Sequence, residues 1–165
     1  PVQDDAMPDL ARLPNLQVLN ATFTRLTDRG LKLISVSRDI RLLKLNRTHI
    51  TDEGLECLRE MPSLRLLYLG DTDLSVAALQ HIAKIPQLEA IKLTALPITD
   101  DELPNLSDMP RLRFLALDGT AVTDAGLKHL DALPKLTYLD LQNTVVSLEA
   151  IKDFRTRHPQ CFVKE

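Results

Sequence analysis

With 165 residues, 44% of them hydrophobic and 26% charged, and a formal net charge of −3 from 20 basic and 23 acidic side chains, the chain has the composition of one ordinary globular domain. A chain of about 150 residues buries roughly 70% of its unfolded surface, so no metal or disulfide is needed to account for folding, and disorder and collagen are excluded. No apolar stretch approaches the roughly 20 residues of a membrane helix, and the nearly balanced charge gives no global reason to expect nucleic acid or an anionic bilayer.

A 24-residue period organises the chain: segments opening at Leu16, Ile40, Leu64, Leu88, Leu112 and Leu136 each carry apolar residues at offsets 0, 3, 5, 10, 15 and 18. All 36 of these positions are apolar, a result that independent draws would give with probability on the order of 10⁻¹³. Residues 1–15 enter the pattern halfway. Val2-Gln3-Asp4-Asp5-Ala6-Met7 falls in the register that later reads Ile-Thr-Asp-x-Gly-Leu, and Leu10, Leu13 and Pro14 continue it. Because the chain opens on Pro1 and on half a repeat, it reads as a piece of a longer protein.

Residues 16–159 form six full repeats. Within each, a run such as Leu43-Lys44-Leu45-Asn46 alternates like a half-buried strand. The segment after it, Thr51-Asp52-Glu53-Gly54-Leu55-Glu56-Cys57-Leu58, reads as a helix start. Thr27, Thr51, Ser75, Thr99, Thr123 and Ser147 form a column of N-cap hydroxyls, and Asp28, Asp52, Asp100 and Asp124 follow them, where the helix dipole favours a carboxylate. Pro62, Pro86, Pro110 and Pro134 separate each helix from the next strand. The fourth repeat is irregular, with Leu96-Pro97 in its loop, Glu102 in place of a small residue and Pro104 inside the helix pattern, which predicts a short or 3₁₀-like turn. At the far end Phe154 keeps the core register, Arg157 and His158 replace an apolar residue and a proline, and residues 160–165 supply a closing strand at Cys161-Phe162-Val163.

Such a unit cannot bury its apolar face alone, so neighbours must stack with parallel strands about 4.8 Å apart. The pattern L-x-x-L-x-L-x-x-T-x-I-T-D-x-G-L-x-x-L resembles the leucine-rich repeat, in a Thr-Asp-x-Gly-Leu variant similar to one frequent in bacterial proteins. The resemblance implies an α/β fold, a right-handed solenoid with a curved parallel sheet on the concave face and short helices on the convex face. It implies protein binding and no chemistry of its own. Where the family places asparagine in the loop this chain has Thr24, Thr48, Thr72, Thr120 and Thr144, whose hydroxyls can bond the buried loop backbone.

Candidates for chemistry are few. Cys57, His81 and His129 share a helical column with Asn105, but successive helices spread them along the stack, away from the 2.0 to 2.3 Å convergence roughly required by zinc. No Gly-x-Ser-x-Gly, Walker loop, Gly-x-Gly-x-x-Gly or His-Glu-x-x-His occurs. Gly30, Gly54 and Gly126 read as a packing column, and the aspartates as caps. No enzyme activity, metal or cofactor is expected. The two cysteines, Cys57 and Cys161, lie more than four repeats apart and cannot pair. Cysteine-rich caps are absent, which leans toward a reducing compartment such as the cytoplasm, or a bacterial origin.

The outward strand columns remain. Val18, Leu42, Leu66, Ala90, Phe114, Tyr138 and Phe162 form the first, apolar throughout and aromatic over its last three strands in a chain with six aromatics and no tryptophan. Both contact with a partner and mutual packing across the sheet fit that column. Charge is uneven: Arg41, Lys44, Arg47, Arg65 and Lys92 lie early, Asp118 and Asp140 late. A basic patch beside Tyr68 suits an acidic protein segment better than nucleic acid, which would need more rings to stack on. The expected function is a monomeric, non-catalytic protein-interaction module. Its candidate binding residues are Arg41, Lys44, Arg47, Arg65, Tyr68, Lys92, Phe114, Tyr138 and Asp140. The alternative is a structural or regulatory repeat segment of a larger enzyme, receptor or ubiquitin-ligase substrate receptor.

Overall fold

Alternation over three residues, one leucine, isoleucine or valine inward between two outward side chains, is all the strand each repeat can supply. The computed structural model describes residues 3–165, and Pro1 and Val2, where the expected half-repeat begins, lie outside the described residues. Seven such strands, β1 (Val18–Asn20), β2 (Leu42–Lys44), β3 (Leu66–Tyr68), β4 (Ala90–Lys92), β5 (Phe114–Ala116), β6 (Tyr138–Asp140) and β7 (Phe162–Lys164), form one parallel sheet in chain order. Each residue pairs with the one 24 positions later, as in Leu19 with Leu43 and Leu43 with Leu67. The ladder extends beyond the strands: Arg41 N donates to Gln17 O at 2.8 Å and Phe23 N to Asn46 O at 3.0 Å. Of the periodic apolar positions only Leu16 and Val146 stop at half burial, and the rest join one continuous core.

The opposite side carries α1 (Met7–Ala11), α2 (Asp28–Ile34), α3 (Ala78–Ile82), α4 (Asp124–Leu127) and α5 (Leu148–Arg157). A 3₁₀ segment at Asp4–Ala6 precedes them, and others lie between them at Gly54–Glu60, Asp100–Asp108 and His129–Ala132. Packed helices need about 8–10 Å where strands need about 4.8 Å, so a stack with helices on one side bends around its sheet. The 3₁₀ turn expected at Pro104 is present, but Gly54–Glu60 adopts the same form with no proline, and nothing in its residues explains that. Phe154, fully buried, closes the last turn with the His158 ring stacked on it at 4.4 Å.

The aspartates do more than favour a helix dipole. Asp28 Oδ1 accepts Thr51 N at 2.9 Å and its Oδ2 accepts the Thr51 hydroxyl at 2.6 Å, so the carboxylate ties its own turn to the next one. Asp4 holds Thr27, Asp52 holds Ser75, Asp100 holds Thr123 and Asp124 holds Ser147 in the same way. Most of the capping hydroxyls also accept from the following turn, as Thr27 does from Arg29 N. Among the described residues no such bond reaches Thr51, where the 3₁₀ segment starts only at Gly54. The glycine column arises from this ladder. A Cβ at Gly30, Gly54 or Gly126 would sit on the carboxylate of Asp4, Asp28 or Asp100.

The ladder also accounts for the fourth repeat. Position 76, which should hold the aspartate for Thr99, is Val76. Glu102, standing in the glycine column, replaces it: its Oε2 accepts both Thr99 N at 2.9 Å and the Thr99 hydroxyl at 2.8 Å. The loop threonines behave as expected, with the Thr24, Thr48, Thr72, Thr120 and Thr144 hydroxyls each donating to the carbonyl three residues back at 2.6 to 2.7 Å. Beside them the chain turns through the left-handed region once per repeat, at Phe23, Arg47, Asp71, Ala95, Gly119 and Asn143, with φ between 54° and 72°.

Candidate functional site

Strand alternation aims two columns out of the sheet, and the left-handed corner adds a third at the strand exits. In repeats one to four these columns enclose a depression of about 520 Å³ on the sheet face. Lys44, Tyr68 and Lys92 line it from the strands, with Asn20, Asn46, Thr94 and Phe23 around them. Gly70 deepens its floor, where an added Cβ would come within 3.0 Å of Thr94 Cβ.

Hydrogen bonding inside the depression is lopsided. Asn46 Oδ1 is taken by Gly70 N at 2.9 Å and Asn20 Oδ1 by Thr22 N at 3.1 Å, which leaves both amide NH₂ groups as donors. The Thr94 hydroxyl donates to Asp118 at 2.9 Å. Asp71, the acidic group on the wall, is held by Arg47 Nε at 3.0 Å. Among the described residues neither Lys44 nor Lys92 has an ion-pair partner, and Lys44 Nζ lies 5.4 Å from the centre of the Tyr68 ring. The surface therefore offers mostly donors, two of them fully charged, around one aromatic ring.

The other expected residues divide. Arg47 does not line the depression but touches two residues that do, its guanidinium 4.8 Å from the centre of the Phe23 ring and its Nε 3.0 Å from Asp71. Arg41 is exposed at the strand-entry rim, and Arg65 beside it is tied down by the Pro62 and Leu64 carbonyls at 2.9 Å and by Glu89 at 3.8 Å. Phe114 and Tyr138 stack with centroids 4.5 Å apart and rings 7° from parallel, and Phe162 lies beyond at 5.6 Å, so this stretch packs on itself and leaves its outer edge open. Asp140 has to be withdrawn as a contact residue. It is 6% exposed, accepts Gln142 N at 3.2 Å and Lys164 Nζ at 3.0 Å, and holds that ammonium above the ordinary lysine range.

Sequence reasoning missed Phe23, which lies outside the alternating columns, although it singled out Arg47 at the same corner position for its charge. The recurrence of glycine and asparagine at the same offset, in Gly119 and Asn143, was the available signal. A hollow of about 600 Å³ on the helix side, between Pro8, Ala11, Leu33 and Val36 with Arg29 and Lys32 at its rim, was missed as well. The cysteines are free, and burial raises both thiols, Cys161 to about 11. No cluster of metal-ligating side chains occurs among the described residues, and no helix there is long and apolar enough to cross a membrane.

Comparison with known proteins agrees with this architecture. A family profile described as leucine rich repeat matches residues 36–58. No curated protein matches the sequence significantly. Among solved structures, an internalin from Listeria monocytogenes superposes with a TM-score of 0.68 at 18% identity, over 96% of this chain and 50% of that one. The likeness is one of fold, and the chain spans about half the length of that protein.

Proposed function

We propose that this chain, a leucine-rich repeat protein, serves as a non-catalytic interaction module that holds a protein or peptide segment against the sheet face of repeats one to four. Proteins of this fold are commonly interaction modules, and two unpaired lysines beside a ring in a depression on that face support the same role here. Taking Lys44 and Lys92 out of water against a carboxylate partner adds charge-assisted hydrogen bonds, and their field steers an acidic segment toward the face.

Affinity capture with the wild-type chain beside a Lys44→Glu/Lys92→Glu variant tests the proposal, with partners identified by mass spectrometry. Among the described residues neither lysine supports the fold through an ion pair, so circular dichroism should find both proteins equally folded. The expected result is a directly binding protein retained by the wild type and lost by the variant. Equal retention of every partner refutes the assignment to this face.

A further inference from the structure

Every repeat turns through the left-handed region at the strand exit, and in the first five the amide there reaches a carbonyl of the next repeat. Phe23 N donates to Asn46 O, Arg47 N to Gly70 O, Asp71 N to Thr94 O and Gly119 N to Gln142 O, at 2.8 to 3.1 Å. Glycine and asparagine suit that backbone, and a bulky aromatic is among the residues it suits least. Phe23 nevertheless occupies it at φ 60°, with 67% of its surface exposed. Burial in the core cannot explain the ring, and neither can backbone preference.

The surroundings of Phe23 point outward. Its ring lies on the wall of the depression lined by Lys44, Tyr68 and Lys92. Arg47 covers the ring from one side at 4.8 Å, and Asp71 fixes that guanidinium at 3.0 Å. A ring braced on one side and open elsewhere, beside an oriented arginine, has the make-up of an interface anchor. The acceptor oxygens of Asn20 and Asn46 are already engaged, while the lysines and amide NH₂ groups remain free to donate.

We infer that Phe23 is the apolar anchor of the concave site, and that the site takes a peptide segment bearing an apolar side chain next to carboxylates. The apolar group packs on the open side of Phe23 at the strand exit, and the carboxylates accept from Lys44, Lys92 and the asparagine amides. The inference rests on the concave-face reading and extends it to a corner of the chain outside the strands.

Fluorescence anisotropy with three short synthetic peptides tests it: one mixing glutamate and leucine, one mixing glutamate and serine, one mixing lysine and leucine. The glutamate–leucine peptide is expected to bind about tenfold tighter than the glutamate–serine one, the equivalent of burying one apolar side chain in part, and the lysine–leucine peptide not at all. Phe23→Ser should erase the tenfold difference and leave the glutamate–serine peptide unchanged, whereas Lys44→Glu/Lys92→Glu should abolish binding of both. If Phe23→Ser changes nothing while the charge reversal still abolishes binding, the anchor is wrong and the concave-face reading stands. Binding that survives the charge reversal, or no binding of any peptide, overturns both. A second readout needs no ligand: Phe23→Gly should melt at or above the wild-type temperature, because the ring is not held for stability. A clear fall in melting temperature would make Phe23 a brace for Arg47 and overturn the inference.

Discussion

Repeat four can be returned to the pattern of its neighbours by exchanging one carboxylate for another. Thr99 N and the Thr99 hydroxyl both donate to Glu102 Oε2, at 2.9 and 2.8 Å, in a half-buried setting. Hydrogen bonds to a charged group contribute about 1.5–3 kcal/mol, and removing the acceptor leaves the Thr99 donors without it; partial exposure favours the lower end. Glu102→Gly should therefore destabilise the chain by about 2 kcal/mol, or roughly 4–8 °C in melting temperature for a protein of this size. Val76, 45% exposed, stands 23 residues before Thr99, the separation at which Asp4, Asp28, Asp52, Asp100 and Asp124 reach their hydroxyl partners. Val76→Asp by itself should be neutral or harmful, since its carboxylate would meet Glu102 at donors already used. In the Glu102→Gly background it should recover most of the lost stability, because the missing side chain opens the path that Gly30, Gly54 and Gly126 leave open in other repeats. Urea denaturation followed by far-ultraviolet circular dichroism on the four proteins gives the coupling energy. A double variant no more stable than the two single changes predict would refute the ladder as the link between turns.

The titrating groups lead to two further outcomes. The Ser147 backbone amide and then its hydroxyl lower the Asp124 carboxyl below its ordinary value. A depressed folded-state value means that the stabilisation is present above the unfolded value near 3.8 and lost as pH falls through the folded one. Asp124→Asn should accordingly lower stability between pH 6 and 8, where the ionised carboxylate holds Ser147, and flatten stability against pH below about pH 4, as followed by thermal melts from about pH 2 to 8; an unchanged acid limb would count against the bond. Burial raises the thiols of Cys57 and Cys161, the latter to about 11, and so lowers their thiolate fraction, so both should react with iodoacetamide far more slowly in the native chain than in urea. Rapid native labelling of Cys161, measured by mass spectrometry, would contradict its placement.

The fold was legible in the sequence because a solenoid repeats one local problem. Inward leucines at fixed offsets, a hydroxyl at the start of each turn and a proline at its end are nearest-neighbour demands, and each recurs every 24 residues. Alternation also placed Lys44, Tyr68 and Lys92 on the outward face, since side-chain direction in a strand has period two. Which outward residues remain free depends on contacts between repeats, to which a pattern within one repeat is blind. Asp140 faces outward by register yet is buried under Lys164 from the following strand. Phe114 and Tyr138 satisfy each other, and Arg65 pairs with Glu89 of the following repeat.

Periodic burial along the chain thus set the repeat, the order and register of the strands and the columns of the core, all readable from the residues alone. It took the stacked turns to settle that the aspartates tie each turn to the next, that Glu102 stands in for the aspartate absent at Val76, and that Phe23 lies on the wall of the basic depression. The first and last depend on groups 23 or 24 residues apart, which become neighbours only when the turns stack at the sheet spacing, and the Glu102 contact, three residues from Thr99, takes its meaning from the aspartate that the other turns supply.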